Sequence, residues 1–196
     1  MVSNGKSRKL PDLNPFHNRP DEWALYEPLI GNSMLEFGGK VNGEAGTYKA
    51  FFEKLGYRHV SLDWNGEHGA LKRDLRQPQW PEFGSFDYTV NMGCSEHVSS
   101  QHGFWKNVHF LTKPGGLYVG QTPYHDGKSW WWHGEYYPTE AFFESFADLN
   151  CWDIERMYID REIPNQNLYV RMRKIDVGRF AMPDESLIKF NRRRPR

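Results

Sequence analysis

Ser33-Met34-Leu35-Glu36-Phe37-Gly38-Gly39-Lys40-Val41-Asn42-Gly43 is the stretch from which the fold is read. A short, mostly apolar run that breaks into glycines has the pattern of a buried β-strand ending in a tight loop. Helical spacing follows over 45–55, with Tyr48, Phe51, Phe52 and Leu55 on one side and Gly56 as the stop. A second strand is expected over 59–63, ending at Asp63. The cycle then repeats. A turn-rich stretch around Asn65, Gly66 and Gly69 leads to Ala70-Leu71 and to Asp74-Leu75. Residues 86–92 read as a third apolar strand, and 103–111 as a helix with Phe104, Val108 and Leu111 inward. Pro114-Gly115-Gly116 reads as a tight turn into a strand over 117–121. Residues 139–149 read as another helix, with Thr139 as its N-cap. Residues 153–161 and 167–175 alternate as an antiparallel pair would. Upstream, 21–30 has helical spacing, with Trp23, Leu25, Tyr26 and Leu29 available for one face.

Alternating strands and helices predict an α/β fold: a Rossmann-like, mostly parallel sheet with helices on both faces and an antiparallel C-terminal strand pair. The expected organisation is an N-terminal arm and cap helix over 1–30, a ligand-binding domain over 31–178, and a basic tail over 179–196. A chain of 196 residues, 38% hydrophobic and 26% charged, suits one globular domain. Its formal net charge of zero argues against a protein that grips a nucleic-acid backbone over its whole surface. No run approaches the ~18 apolar residues of a membrane span. The first residues, MVSNGKSRKLPDLNP, have no apolar core of a secretory signal. Two cysteines, Cys94 and Cys151, are too few for a disulfide framework, so a reducing cytoplasmic setting is expected.

Open parallel sheets bind ligands outside the carboxyl ends of their strands. Gly38 and Gly39 stand at the end of the first strand, where glycine lets a ligand approach the backbone closely. Asp63 ends the second, where a carboxylate can accept both hydroxyls of a ribose. Trp64 can cover an adenine ring, and Asp74 can read its amino edge. Each feature alone fits a plain turn or a helix cap. Taken in order, they describe a nucleoside pocket.

The order resembles that of class I S-adenosylmethionine-dependent methyltransferases of the small-molecule type (methyltransferase type 11/12-like), over about 34–175. MLEFGGKVNG resembles the first motif of that family, VSLDWNG the second, ALKRDL the third and FDYTVNMGCSEHV the fourth strand with its loop. LTKPGGLYVGQTPY resembles the fifth-strand segment, and WHGEYYPTEAFF the loop and helix after it. One departure concerns the glycine loop: Lys40 and Asn42 take the places of the family's second and third glycines. The resemblance implies S-adenosylmethionine as cofactor. It implies contacts from Glu36, Gly38, Gly39, Lys40, Asp63, Trp64, Asp74, Leu75, Asn91, Met92 and Gly93. A nicotinamide dehydrogenase is disfavoured, because GxGxxG is absent from the first turn.

Methyl transfer from a sulfonium is an in-line displacement. The protein aligns the acceptor, excludes water and, for a hydroxyl, takes up a proton. Glu96, His97 and His133 are the candidate catalytic groups. Tyr124, Trp132 and Glu135 are the candidate acceptor contacts. Glu96-His97 can serve as base or as two ligands of a divalent ion. Methyltransferases of related pattern carry Glu-x-x-Glu-His there with magnesium or a similar ion. Gly93 occupies the first Glu place here; Glu96 and His97, with His133 as a third, are a thin ligand set, so the sequence assigns no metal. Trp130-Trp131-Trp132 cannot all face one side of a strand. They can line an acceptor pocket or pack on the N-terminal helix. The expected reaction is transfer to O or N of a small-molecule or sugar-like acceptor. A non-catalytic, cofactor-binding scaffold and a nucleic-acid methyltransferase are the alternatives. The first is favoured by the altered glycine loop, the second by the basic tail (Lys189, Arg192, Arg193, Arg194, Arg196).

Overall fold

The computed structural model describes residues 20–39, 47–77, 82–124, 133–161 and 165–191. At its centre β1 (Ser33–Phe37) pairs in parallel with β2 (Arg58–Asp63) on one side and β4 (Phe86–Met92) on the other. The two-residue β3 (Leu71–Lys72) extends the β2 edge, and β5 (Thr112–Pro123) runs parallel to β4. β8 (Asn167–Lys174) joins β5 antiparallel, and β7 (Trp152–Asp160) joins β8 antiparallel. The order is β3-β2-β1-β4-β5-β8-β7. It reverses direction between β1 and β4, which puts a crevice at their carboxyl ends.

The alternation of side chains decides what covers each face. Met34, Tyr88, Val90, Met92, Leu117 and Val119 point to the face that carries α2 (Tyr48–Lys54), where Phe51 and Phe52 are buried. Leu35, Phe37 and Tyr118 point to the other face, under α3 (Gln101–Leu111) and α4 (Glu140–Asn150). Trp105 is fully buried there among Tyr118, Phe142, Phe143 and Phe146. Each of these helices starts at a hydroxyl cap: Thr47 accepts from the N–H of Ala50, Ser100 from Gly103 and Thr139 from Phe142. No helix among the described residues is long and apolar enough to cross a membrane.

Three expectations are corrected. The helix expected over 21–30 is one turn, α1 (Pro20–Trp23), followed by a turn. Pro28 has no N–H to continue a helix and restricts the residue before it, although Leu25 and Tyr26 are buried as the apolar spacing required. Pro114-Gly115-Gly116 is not a turn before a strand. β5 runs through it, as an irregularity where the pairing with β4 jumps from Phe86↔Thr112 to Tyr88↔Leu117. Of the tail expected over 179–196, the described residues, to Asn191, do not stand apart from the domain. Phe180 packs on His109 and Phe146, and β9 (Ile188–Phe190) pairs antiparallel with β6 (Tyr136–Pro138).

At the opposite end from the crevice, Asp87 ties β1 to β4. Its Oδ2 accepts from Ser33 Oγ at 2.6 Å and from the N–H of Asn32 and of Ser33 at 3.0 Å each. Lys113 Nζ donates to Oδ1 at 2.9 Å. Burial raises the Asp87 pKa, but the hydrogen bonds from Ser33, Asn32 and Lys113 outweigh it and hold the carboxyl at about 2. The folded value lies below the unfolded one of roughly 3.9. The linked stability is therefore present above about pH 4 and lost as pH falls towards 2. Asp87→Asn is expected to flatten the stability profile across that window, as read by urea midpoints at successive pH values.

Candidate cofactor pocket and active site

Gly38 and Asp63 meet where β1 and β2 end. The Gly38 N–H donates to Leu62 O at 2.8 Å, with φ at +84°, a conformation that favours glycine. A Cβ on Gly38 would lie 3.2 Å from Cys94 Cβ. Asp63 Oδ2 accepts the Gly39 N–H at 3.1 Å, and Oδ1 accepts the Asn65 N–H at 3.3 Å. The carboxylate thus joins the two strand-end loops and still borders an open cavity of about 790 Å³. Gly38, Gly39, Asp63, Trp64, Asp74 and Leu75 all line that cavity, as do Met92 and Gly93. Trp64 is 75% exposed at its rim.

Another wall is the loop after β3, which α3 holds in place. A Cβ on Gly103 would lie 2.1 Å from Arg76 O, so only a glycine lets the loop after β3 sit this close to the helix. Asn107 Nδ2 then holds that loop by donating to Leu75 O at 3.1 Å and Gln77 O at 3.0 Å. Leu75 is buried by this arrangement. Asp74 borders the cavity with its carboxylate held by Arg76, whose Nη2 donates to Oδ2 at 2.8 Å. The Arg76 hydrogen bonds, from side chain and then backbone, lower the Asp74 pKa.

Two expected cofactor contacts lie elsewhere. Asn91 is fully buried and is not on the cavity wall. Its Oδ1 accepts the N–H of Cys94 at 3.1 Å and of Ser95 at 3.0 Å, and its Nδ2 donates to Ser95 Oγ and to Tyr118 Oη. It therefore shapes the loop after β4. Glu36 is 1% exposed beneath the pocket, with Oε2 accepting Ser61 Oγ at 2.9 Å and lying 3.8 Å from His59 Nε2. Burial pushes His59 down to about 3, so it is neutral at ordinary pH. Lys40 and Trp132 lie outside the described residues, as do His125, Trp130, Trp131 and the arginines of the tail after Asn191.

Ser95–His97 is a single 3-10 turn clamped on both sides. Asn91 holds its start, and Gln101 Nε2 donates to Ser95 O and Val98 O at 2.8 Å each. The turn buries Glu96 completely and leaves the His97 side chain 44% exposed at the cavity. His133 reaches the same point from the loop before β6. Its Nε2 lies 3.2 Å from His97 Nε2 and 3.4 Å from Glu96 Oε1. Gly134, at φ +64°, packs against Glu96, where a Cβ would lie 2.8 Å from Cγ. Glu135 donates its N–H to Glu96 O at 2.8 Å, which docks the two loops on each other. Tyr124 is partly buried at the end of β5, its N–H donating to Gln166 O at 2.9 Å.

Cys94, Val98, Ser99 and Arg73 also line the cavity and were not singled out by sequence reasoning. Cys94, Val98 and Ser99 belong to the loop after β4 that the topology already marked. Burial pushes the Cys94 thiol well above its usual value. Its side chain contributes to the cavity wall.

No family model matches the chain, and no curated protein matches it in sequence. Solved structures do match. The 1,6-didemethyltoxoflavin-N1-methyltransferase of Burkholderia thailandensis, with bound 1,6-didemethyltoxoflavin and S-adenosylhomocysteine, is 16% identical, with a TM-score of 0.59 over 84% of this chain and 80% of that one. The N-methyltransferase NodS of Bradyrhizobium japonicum WM9, in complex with S-adenosylhomocysteine, is 18% identical, with a TM-score of 0.58 over 84% of this chain and 90% of that one. An S-adenosylmethionine-dependent methyltransferase of Mesorhizobium loti is 14% identical, with a TM-score of 0.57 over 79% and 96%. The chain has the fold of the class I S-adenosylmethionine-dependent methyltransferases.

Proposed function

We propose that the chain is an S-adenosylmethionine-dependent methyltransferase acting on O or N of a small-molecule or sugar-like acceptor. The observation that carries the reading is the cavity at the carboxyl ends of β1, β2 and β4, bordered by the Gly38-Gly39 backbone and the Asp63 carboxylate. Its size falls in the range of small-molecule and cofactor sites. The residues present fit an adenosyl group. Asp63 offers acceptor lone pairs to ribose hydroxyls, Phe37, Leu75 and Met92 offer apolar wall to a flat ring, and Gly38 leaves the backbone accessible. The two neighbours holding S-adenosylhomocysteine, one of them with 1,6-didemethyltoxoflavin also bound, support the same reading.

The cofactor, when bound, supplies a methyl group already activated by a sulfonium. The chain's residues then align the acceptor and manage its proton. His97 lines the cavity, and His133 stands 3.2 Å from it. One imidazole takes the acceptor proton at a ring nitrogen. The Glu96 carboxylate, 3.4 Å from His133 Nε2, stabilises the charge that forms. Burial of Glu96 keeps water off that carboxylate.

The test is incubation of the chain with methyl-labelled cofactor and a metabolite extract, followed by mass spectrometry of whatever gains the label. His97→Ala is expected to lower the rate of labelling by about 10²–10⁴-fold, the range for loss of an acid–base group, and to leave S-adenosylhomocysteine affinity nearly unchanged. Binding without labelling of any acceptor would support the scaffold reading instead.

A further inference from the structure

We propose that Glu96, His97 and His133 form a binding site for a divalent cation of the zinc class. The first observation is the state of Glu96. It is 0% exposed, and neither carboxylate oxygen makes a hydrogen bond. A buried carboxylate without such partners is costly, and it is retained where a cation meets it. The second observation is the convergence of two imidazoles on the same oxygen. One ligand atom from each of the three side chains lies within 4.8 Å of the others. The three edges are 3.2 Å between the two Nε2 atoms, 3.4 Å from Glu96 Oε1 to His133 Nε2, and 3.8 Å from that oxygen to His97 Nε2.

The donor set decides the metal class, and the edges are compatible with it. Ligands at ~2.0–2.1 Å in a tetrahedron stand roughly 3.3–3.4 Å apart. Adjacent ligands in a magnesium octahedron stand only ~2.9 Å apart. The observed spacing is the wider one, and two of three donors are nitrogen, which suits zinc better than magnesium. A hydrogen bond between the imidazoles accounts for the 3.2 Å contact but leaves Glu96 without a hydrogen bond, whereas one cation satisfies all three groups. Two His and one Glu leave a fourth tetrahedral position for water or an acceptor atom; with the cation bound both Nε2 atoms are ligands and do not take a proton, so the imidazole base of the proposed function describes the chain without the cation.

The sequence offers the same three residues but assigns no metal, because Gly93 removes one carboxylate from the local pattern. The fold supplies His133 from 36 positions away instead. The placement is built, not incidental. Asn91 and Gln101 hold the 3-10 turn from below, and Gly134 lets the second loop close over the Glu96 side chain.

The experiment titrates zinc chloride into the full chain, without an affinity tag, against a chromogenic chelator. Magnesium chloride is the comparison. Cobalt chloride follows as a spectroscopic probe. A single tight equivalent of zinc is expected, undisturbed by millimolar magnesium, with the intense visible absorption of four-coordinate cobalt. Glu96→Gln and His133→Ala are each expected to weaken zinc binding by at least ~10-fold, while His102→Ala, a surface control, leaves it unchanged. Circular dichroism confirms that each variant is folded. No binding by the wild-type chain, equal binding of magnesium, or full affinity in both folded site variants would overturn the site. S-adenosylhomocysteine affinity, measured separately, tests the methyltransferase reading, so either can fail alone.

Discussion

Trp105→Ala is expected to lower the unfolding free energy by about 3–5 kcal/mol. Trp105 is fully buried where α3, α4 and the sheet meet, in ring contact with Tyr118, Phe142, Phe143 and Phe146. The volume is not readily refilled, because the rings around it are anchored in α4 and in β5. The truncation also removes the Nε1–H that donates to Gln101 Oε1 at 3.0 Å. The Gln101 amide is the clamp beneath Ser95–His97, so the damage reaches the candidate site as well as the core. A typical domain has only ~5–15 kcal/mol to lose, so the variant should be marginal. Urea unfolding of both chains measures the difference. A loss under about 1 kcal/mol, the scale of ordinary surface changes and not of core cavities, would contradict this account of the core.

The second large effect concerns binding. Asp63→Ala is expected to weaken S-adenosylhomocysteine binding by about 1–3 kcal/mol, or roughly 5- to 150-fold. Two losses combine. The ribose hydroxyls lose a charged acceptor, and the N–H groups of Gly39 and Asn65 lose the carboxylate that joins their loops. Asp63→Asn separates the two, since its amide oxygen still accepts from one loop while the charge is gone. The Asp63→Asn variant is expected to bind with an affinity between those of the wild-type chain and Asp63→Ala. Calorimetry reads the affinities, and the thermal midpoints report how much of the change belongs to the loops. Unchanged affinity in both variants would mean that the ribose is held elsewhere.

The sheet was legible because its strands carry two messages at once. Met34 and Leu35 are both apolar, which marks a strand buried on both faces, and the glycines after Phe37 mark where it stops. The helix over 21–30 was over-read because apolar spacing is a statement about burial. It held for Leu25 and Tyr26, but spacing says nothing of what Pro28 does to the backbone. The return of Ile188–Phe190 to pair with β6 was not legible, since a three-residue strand pairing across about fifty positions leaves no local period. The candidate site divides in the same way. Glu96 and His97 stand together after an apolar strand and could be singled out. Their meeting with His133 depends on how two loops dock. Asn91 shows the limit of the resemblance: it implied a cofactor contact, yet the amide is spent on the backbone of the loop that follows.

The most direct measurement is an isothermal titration of S-adenosylhomocysteine, and in parallel of S-adenosylmethionine, into the folded wild-type chain. The account predicts saturable binding at a single site for both. A folded chain that takes up neither would contradict it.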